Sequence, residues 1–361
     1  MASPQRIAIF LPNWVGDVVM ATPAIRAISE LLGRESVTLV GKPIALQTLY
    51  GNCWSARSIE EISREGLGGL RQMVRTLRAG RFDTIVLMPN SFRTAAVARL
   101  AGPPRLVGYN RDGRGWLLTD RLEPPRTAEG RFKPAPMLDY YNRLALAVGT
   151  ADPGYRMQLP VSPPHETQAE QMLDSAGRDP SRPLVILNPG GSFGPSKMWM
   201  PDRYGRLGDR LVAEYGAQII LNVAPNEKAI ARQVAAAMVC RPLINFAEQD
   251  NSLPLLGALV RRADLMVTND TGARHFAVAG EMSVVTLFGS TDPRWTHLYY
   301  NRERCLRVEL PCSPCQEKLC VMPAGPLYHK CMLDIPVDRV IAACRDLLGP
   351  AGVEGQKQCS C

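Results

Sequence analysis

Four segments bring together residue types that handle protons, phosphates, sugar hydroxyls or metals. The first, NWVGDVVMATPAIRAI, sets Gly16 and Asp17 between an apolar run and a helical pattern. Gly16 permits close backbone approach, and Asp17 at such a turn suits a general base. A helix-capping aspartate is the alternative. The second, NPGGSFGPSKMWMPDRY, offers the amides of Gly190 and Gly191, the Ser192 hydroxyl and the Lys197 ammonium, the inventory of a phosphate site. It is not the nucleotide-triphosphatase loop, because Met198 stands where Ser or Thr would follow the lysine. An ordinary glycine turn with a surface lysine is the competing reading. The third, VTNDTGARHFAVAG, ends a strand and opens a helix with Asp270, Thr271 and Gly272. There a carboxylate can accept sugar hydroxyls, and a helix N-terminus can donate to phosphate. His275 lies one turn on, without the Ser and Asp partners of a hydrolase triad, and reads as structural. The fourth is a cluster of Cys312, Cys315, Cys320 and Cys331 beside His329, the ligand type of a structural zinc site at a spacing unlike the common ribbons. A packed thiol-rich loop, or a disulfide formed after isolation, competes with the metal.

These turns need strands and helices to place them. Residues 7–11, IAIFL, read as a buried strand, and 22–32 as a helix with Pro23 in its first turn. SVTLVG and DTIVLMP read as further strands, with helices over 67–79 and 91–100. The alternation is that of a parallel, doubly wound sheet. Residues 101–136, rich in Pro, Gly and Arg, read as a long loop, followed by a helix over 137–148 and a linker, PGYRMQLPVSPP. The rhythm then restarts. RPLVILN, AQIILNVA, DLMVTND and SVVTLFG read as strands, and helices are expected over 201–215, 226–238, 253–262, from 273, and over 337–348. Residues 291–333 read as irregular. The fold class is α/β: two Rossmann-like domains facing across a cleft, 1–163 and 164–349, with a polar tail at 350–361. Ligands in such sheets bind at the carboxyl ends of strands.

The 361 residues carry a net charge of +8. Residues 1–165 hold 21 basic against 13 acidic side chains, and the remainder holds 21 of each, so the whole excess lies in the first half. Such asymmetry points to an anionic partner there, or to solubility alone. No apolar run is long enough to span a bilayer, and the N-terminal run breaks at Pro12, too short for a signal peptide. A cytosolic protein with reduced thiols is expected.

In order and spacing, NWVGDVVMATPAIRAI, NPGG with SKMW, TNDTGARHFAVAG and FGSTDP resemble the family-nine glycosyltransferases, the ADP-heptose:lipopolysaccharide heptosyltransferases. NWVGD, PMLDYYNRLA and the CSPCQEKLC to HKCM stretch are most similar to the heptosyltransferase II branch. The resemblance implies a B-type glycosyltransferase fold, with the acceptor on the N-terminal domain and the nucleotide on the C-terminal one. It implies inverting transfer of L-glycero-D-manno-heptose from ADP-heptose to a heptose of the lipopolysaccharide inner core, with no obligatory metal. By motif, Asp17 resembles the catalytic base and Lys197 the lysine that neutralises the leaving diphosphate. Ser192, Thr271 and Gly272 resemble phosphate contacts, Asp270 the donor-sugar ligand and Glu227 a ribose-binding acid.

The implied partners are ADP-heptose, a lipid A inner-core acceptor and, transiently, the anionic inner face of the inner membrane; a monomer is expected. Arg111 and Arg114, in the basic loop, are the candidate acceptor contacts. The sequence departs from the family where Ala273 and Arg274 replace a frequent Pro-Met pair, and the QKQCSC tail matches nothing familiar. A same-fold transferase acting on another sugar or surface polysaccharide is the alternative. An epimerase or dehydrogenase lacks support without a G-x-G-x-x-G turn after the first strand. Nucleic-acid binding rests on charge alone and leaves Asp17, Lys197 and Asp270 without a role.

Overall fold

The computed structural model of the chain describes residues 5–61, 66–191 and 193–350. The chain divides into two compact units. Unit 1 comprises Met1–Pro160 and a short return segment, Arg294–Tyr299; unit 2 comprises Val161–Pro293 and Tyr300–Cys361.

Unit 1 holds strands β1 (Ile7–Phe10), β2 (Val37–Gly41), β3 (Arg57–Glu60), β4 (Thr84–Leu87), β5 (Arg105–Tyr109) and β6 (Asp120–Leu122). They form one sheet in the order β3-β2-β1-β4-β5-β6, and every pair is parallel. Unit 2 holds β7 (Leu184–Asn188), β8 (Gln218–Leu221), β9 (Ile244–Asn245), β10 (Leu265–Asn269), β11 (Ser283–Phe288) and β12 (Glu303–Arg307). Their order is β12-β11-β10-β7-β8-β9, again all parallel. Counted from the first strand of each unit, both sheets have the Rossmann order 3-2-1-4-5-6, whose direction of winding reverses between strands 1 and 4. The crevices at the carboxyl ends of β1/β4 and β7/β10 are therefore where ligands are expected.

The central strands are buried on both faces because helices cover both, which is why they read as continuous apolar runs such as IAIF and LVILN. Phe10, Val40, Ile85, Leu87 and Leu106 anchor the core of unit 1. Leu187, Trp199, Tyr204, Val267 and Val285 anchor that of unit 2. Helix Thr22–Leu32 starts with Pro in its first turn and stops at Gly33, whose φ of 80° only glycine adopts readily.

Several elements depart from the sequence reading. The 101–136 loop contains β5 and β6, and the irregular 291–333 stretch contains β12 and a helical turn, Lys330–Leu333. β3, β9 and helix Pro163–Ser175 were not expected either. β3 and β12 carry charged sequences, RSIE and ERCLR, because each is an edge strand with only part of its surface covered. Arg294–Tyr299 belongs with unit 1 because Trp295 O accepts from Met137 N at 2.9 Å and Tyr299 OH donates to Asp139 at 2.7 Å. Most of the polar tail, 351–361, lies outside the described residues. Among the described residues no helix is long and apolar enough to cross a membrane.

Candidate active site

In unit 1, β1 runs into a short helix, Val15–Met20, with half-buried Asp17 in its first turn. Tyr141, on helix Met137–Val148, donates its hydroxyl to Asp17 Oδ1 at 3.1 Å. Burial, and then the carboxylate itself, hold the Tyr141 phenol well above its usual range, so it stays protonated and remains a donor. The preceding residue, Tyr140, donates to Asn90 Oδ1 at 2.9 Å and stacks on Tyr109 with ring centres 3.6 Å apart. Asn90 follows β4 and Asp17 follows β1, the two strands at the reversal point.

Arg114 differs from its expected role. It is 0 % exposed. Its guanidinium donates to Pro89 O, to Ser91 O at 3.5 Å, to Tyr109 O at 3.1 Å and to Asn90 Oδ1 at 3.1 Å. It locks the turn after β4 to the end of β5 and has no exposed donor for an acceptor anion. Arg111 is partly exposed instead. It lies 4.2 Å over the Phe132 ring and 3.7 Å from Asp112, and its Nε has no hydrogen-bond partner.

In unit 2, Lys197 closes a helical turn, Pro195–Lys197, downstream of β7, and its ammonium donates to the main-chain oxygen of Asp270. Burial pushes the lysine below its usual range, and Asp270 and Glu227 partly restore it. Asp270 follows β10, the strand beside β7. Burial raises its carboxyl, but Arg274 and Lys197 outweigh that, so it is held below the usual range and stays ionised. Thr271 caps helix Gly272–Ala279 without closing it through its own side chain, so its hydroxyl does not occupy the first-turn amides. Glu227 accepts from Gly191 N at 2.7 Å and from Ala224 N at 3.2 Å. A Cβ at Gly190 would meet that carboxylate, so a larger residue there would push Glu227 away from these amides. Lys197, Asp270, Thr271, Gly272 and Glu227 thus gather at the carboxyl ends of β7, β8 and β10; Ser192 lies outside the described residues.

Two asparagines of this site left no sequence signal. Asn188 donates to Thr268 and Thr271 hydroxyls at 2.9 and 3.2 Å, and Asn269 donates to Pro189 O and Gly190 O at 2.9 and 3.0 Å. Together they tie the two turns into one frame. Arg274, 1 % exposed, sends two nitrogens to Glu303 on β12 at 2.6 and 2.9 Å and a third to Asp270 Oδ1 at 3.3 Å. His275 is neutral, its pKa pushed to about 3 by burial and by Arg274, and its Nδ1 is buried without a partner.

The four clustered cysteines line one small cavity of about 20 Å³ with Ser196, Ser290 and Lys330. Burial and then its three neighbours push the Cys331 thiol up to about 11. Among the described residues no three His, Cys, Asp or Glu stand where they could hold one metal ion, so the candidate structural zinc finds no ligand set here. The segment instead braces the lysine turn. Ser196 donates from N to Lys318 O at 3.2 Å and from Oγ to Glu317 O at 2.5 Å, while His329 Nε2 lies 2.9 Å from Pro195 O.

The chain is similar to known proteins over most of its length. The model of glycosyltransferase family 9 (heptosyltransferase) matches residues 70–324. Lipopolysaccharide heptosyltransferase 2 of Salmonella typhimurium is 25% identical over 97% of this chain and 100% of its own. Lipooligosaccharide heptosyltransferase 2 of Haemophilus ducreyi is 26% identical over 95% of this chain and 99% of its own. The solved structure of Escherichia coli ADP-heptose lipopolysaccharide heptosyltransferase II superposes with a TM-score of 0.73 at 25% identity, covering 95% of this chain and 98% of that one. A family 9 glycosyl transferase from Veillonella parvula, 20% identical, shares the fold with a TM-score of 0.79 over 95% of this chain and 97% of its own.

Proposed function

The chain belongs to glycosyltransferase family 9, the heptosyltransferases, and on that premise we propose that it transfers L-glycero-D-manno-heptose from ADP-heptose to a heptose of a lipopolysaccharide inner core. Asp17 takes the proton of the acceptor hydroxyl. The freed oxygen attacks the anomeric carbon opposite the leaving group, forming the new glycosidic bond with inversion as the bond to the diphosphate breaks. The electron pair departs on ADP. Lys197, the Thr271 hydroxyl and the first amides of helix Gly272–Ala279 face the charge that develops there. Asp270 accepts from the heptose hydroxyls, and Glu227, while holding Gly191, has lone pairs left for the ribose. Tyr141 keeps Asp17 oriented.

The observation that carries this reading is the buried Lys197 ammonium against the Asp270 turn, at the reversal point of the second sheet. A cation kept in so costly a place is compensated when a diphosphate arrives. The test is a thermal-shift panel of ADP, UDP, GDP and ADP-heptose. ADP and ADP-heptose should stabilise selectively, by about 2.7 kcal/mol at a hundred times Kd. Equal or larger shifts with UDP or GDP would overturn the donor assignment. In the same assay Asp17→Asn should keep the ADP shift while turnover is lost.

A further inference from the structure

Asp270 is held at two points. The Lys197 ammonium grips its main-chain oxygen. Its side chain meets Arg274, in the first turn of helix Gly272–Ala279, whose Nη1 donates to Asp270 Oδ1 at 3.3 Å. The other two guanidinium nitrogens turn away from the site: Nε and Nη2 donate to the two oxygens of Glu303 at 2.6 and 2.9 Å. Glu303 stands on β12 and accepts in turn from Thr286 on β11 at 2.5 Å. The guanidinium carbon also lies 5.0 Å from the centre of the Phe288 ring. A guanidinium engaged bidentately has its plane fixed, so Glu303 decides where the third nitrogen points.

Bracing helix Gly272–Ala279 against β12 does not require such a chain. Arg274, Glu303 and Asp270 side chains are 1 %, 6 % and 9 % exposed. Taking ions out of water is so costly that apolar residues of similar size would brace the two elements as well or better. Apolar residues cannot, however, hold a carboxylate. The bond to Oδ1 sets the torsion of the Asp270 side chain, and with it the direction in which the second oxygen accepts. The charge of Arg274 acts as well. Burial raises the Asp270 carboxyl, and Arg274 first, then Lys197, outweigh it. The other groups around it are Glu227 behind Lys197, the neutral His275 on the same helix, and Glu303 with the protonated Cys305 thiol on β12.

We propose that Arg274, anchored by Glu303, is a positioning residue for the donor sugar: it turns the Asp270 carboxylate to accept from the sugar hydroxyls, and so supplies selectivity for the sugar rather than affinity for the nucleotide. This rests on the donor role given to Asp270 above.

The test is calorimetry of the full-length protein with ADP and with ADP-heptose, from pH 4.5 to 8. The ratio of the two affinities measures what the sugar contributes. Arg274→Lys keeps a cation beside Glu303, so the fold is retained, but it replaces the fork by a single nitrogen. It should cut the sugar contribution about tenfold and leave ADP affinity within about twofold of wild type. In Arg274→Met/Glu303→Gln the charge is gone as well. Burial then acts on Asp270 with one cation fewer against it, so its carboxyl takes up a proton at a higher pH. The sugar contribution should fade on the acid side at a pH about one unit or more above wild type, whereas in Arg274→Lys that limb should stay in place. In an Asp270→Asn background, Arg274→Lys should cost nothing further, because its effect runs through the carboxylate. A merely structural Arg274 would instead lower both affinities together, or add its loss to that of Asp270→Asn; either result overturns the proposal, as does an unchanged sugar contribution in Arg274→Lys. Failure of the donor reading itself would already show in wild type, as equal affinity for ADP and ADP-heptose or as absent ADP selectivity, and would overturn both.

Discussion

The Lys197 ammonium is buried, and that makes its charge sensitive to pH. Burial lowers the pKa of Lys197 from its ordinary 10.5, so its charge is lost at a lower pH than on a surface lysine. The charged form is the one that binds a diphosphate. ADP affinity should therefore begin to fall on the alkaline side below pH 10.5, with protons taken up on binding in that range, because the arriving anion raises the pKa again. Calorimetry from pH 7 upward checks this. Lys197→Met should weaken ADP about tenfold or more at pH 7 and remove the alkaline limb. Lys197 and Asp270 were readable in the sequence because each occupies a Gly- or Thr-containing turn directly after an apolar run. Arg274 was readable only as a departure from family pattern. Its partner Glu303 lies 29 residues away on a charged edge strand, and no local spacing announces such a pair.

At the scale of elements, the first sheet shows how one residue holds a turn. Arg114 fastens Pro89, Asn90 and Ser91, after β4, to Tyr109 at the end of β5. Arg114→Met would leave several buried oxygens without donors, at about 1–3 kcal/mol for each that water cannot reach. A clear fall in the urea midpoint is expected, whereas Arg111→Met should stay within about 0.5 kcal/mol of wild type. Reversing both charges together would confuse a stability loss with an affinity loss. The central strands and most helices could be read from the sequence because burial on both faces writes an unbroken apolar run, and amphipathic helices write a 3.6-residue period. β3, β5, β6 and β12 could not. Edge strands are half solvated, and RLVGY stands among Pro, Gly and Arg residues that signal a loop by composition. Its strand state comes from pairing with β4, a contact made across the sheet.

Across the whole molecule, charge separates the two ends of the chain. Screening weakens exposed charges far more than buried ones. Raising the salt from 50 to 500 mM should therefore raise the acceptor KM several-fold, through the basic first half, while ADP affinity changes less because Lys197 and Asp270 are buried. Initial rates at both salt concentrations, with each substrate varied in turn, measure the split.

The return of Arg294–Tyr299 to unit 1 gives the ribosome a schedule. Unit 1 has nearly all its residues once Pro160 has emerged, yet Trp295 and Tyr299, which fasten helix Met137–Val148 by its start, are still 135 and 139 codons away. At about 5–20 residues per second that is a wait of roughly 7–27 s. Through that interval the nascent unit stands with one fastening missing, within reach of chaperones. A gene cut after residue 160 would make the wait permanent.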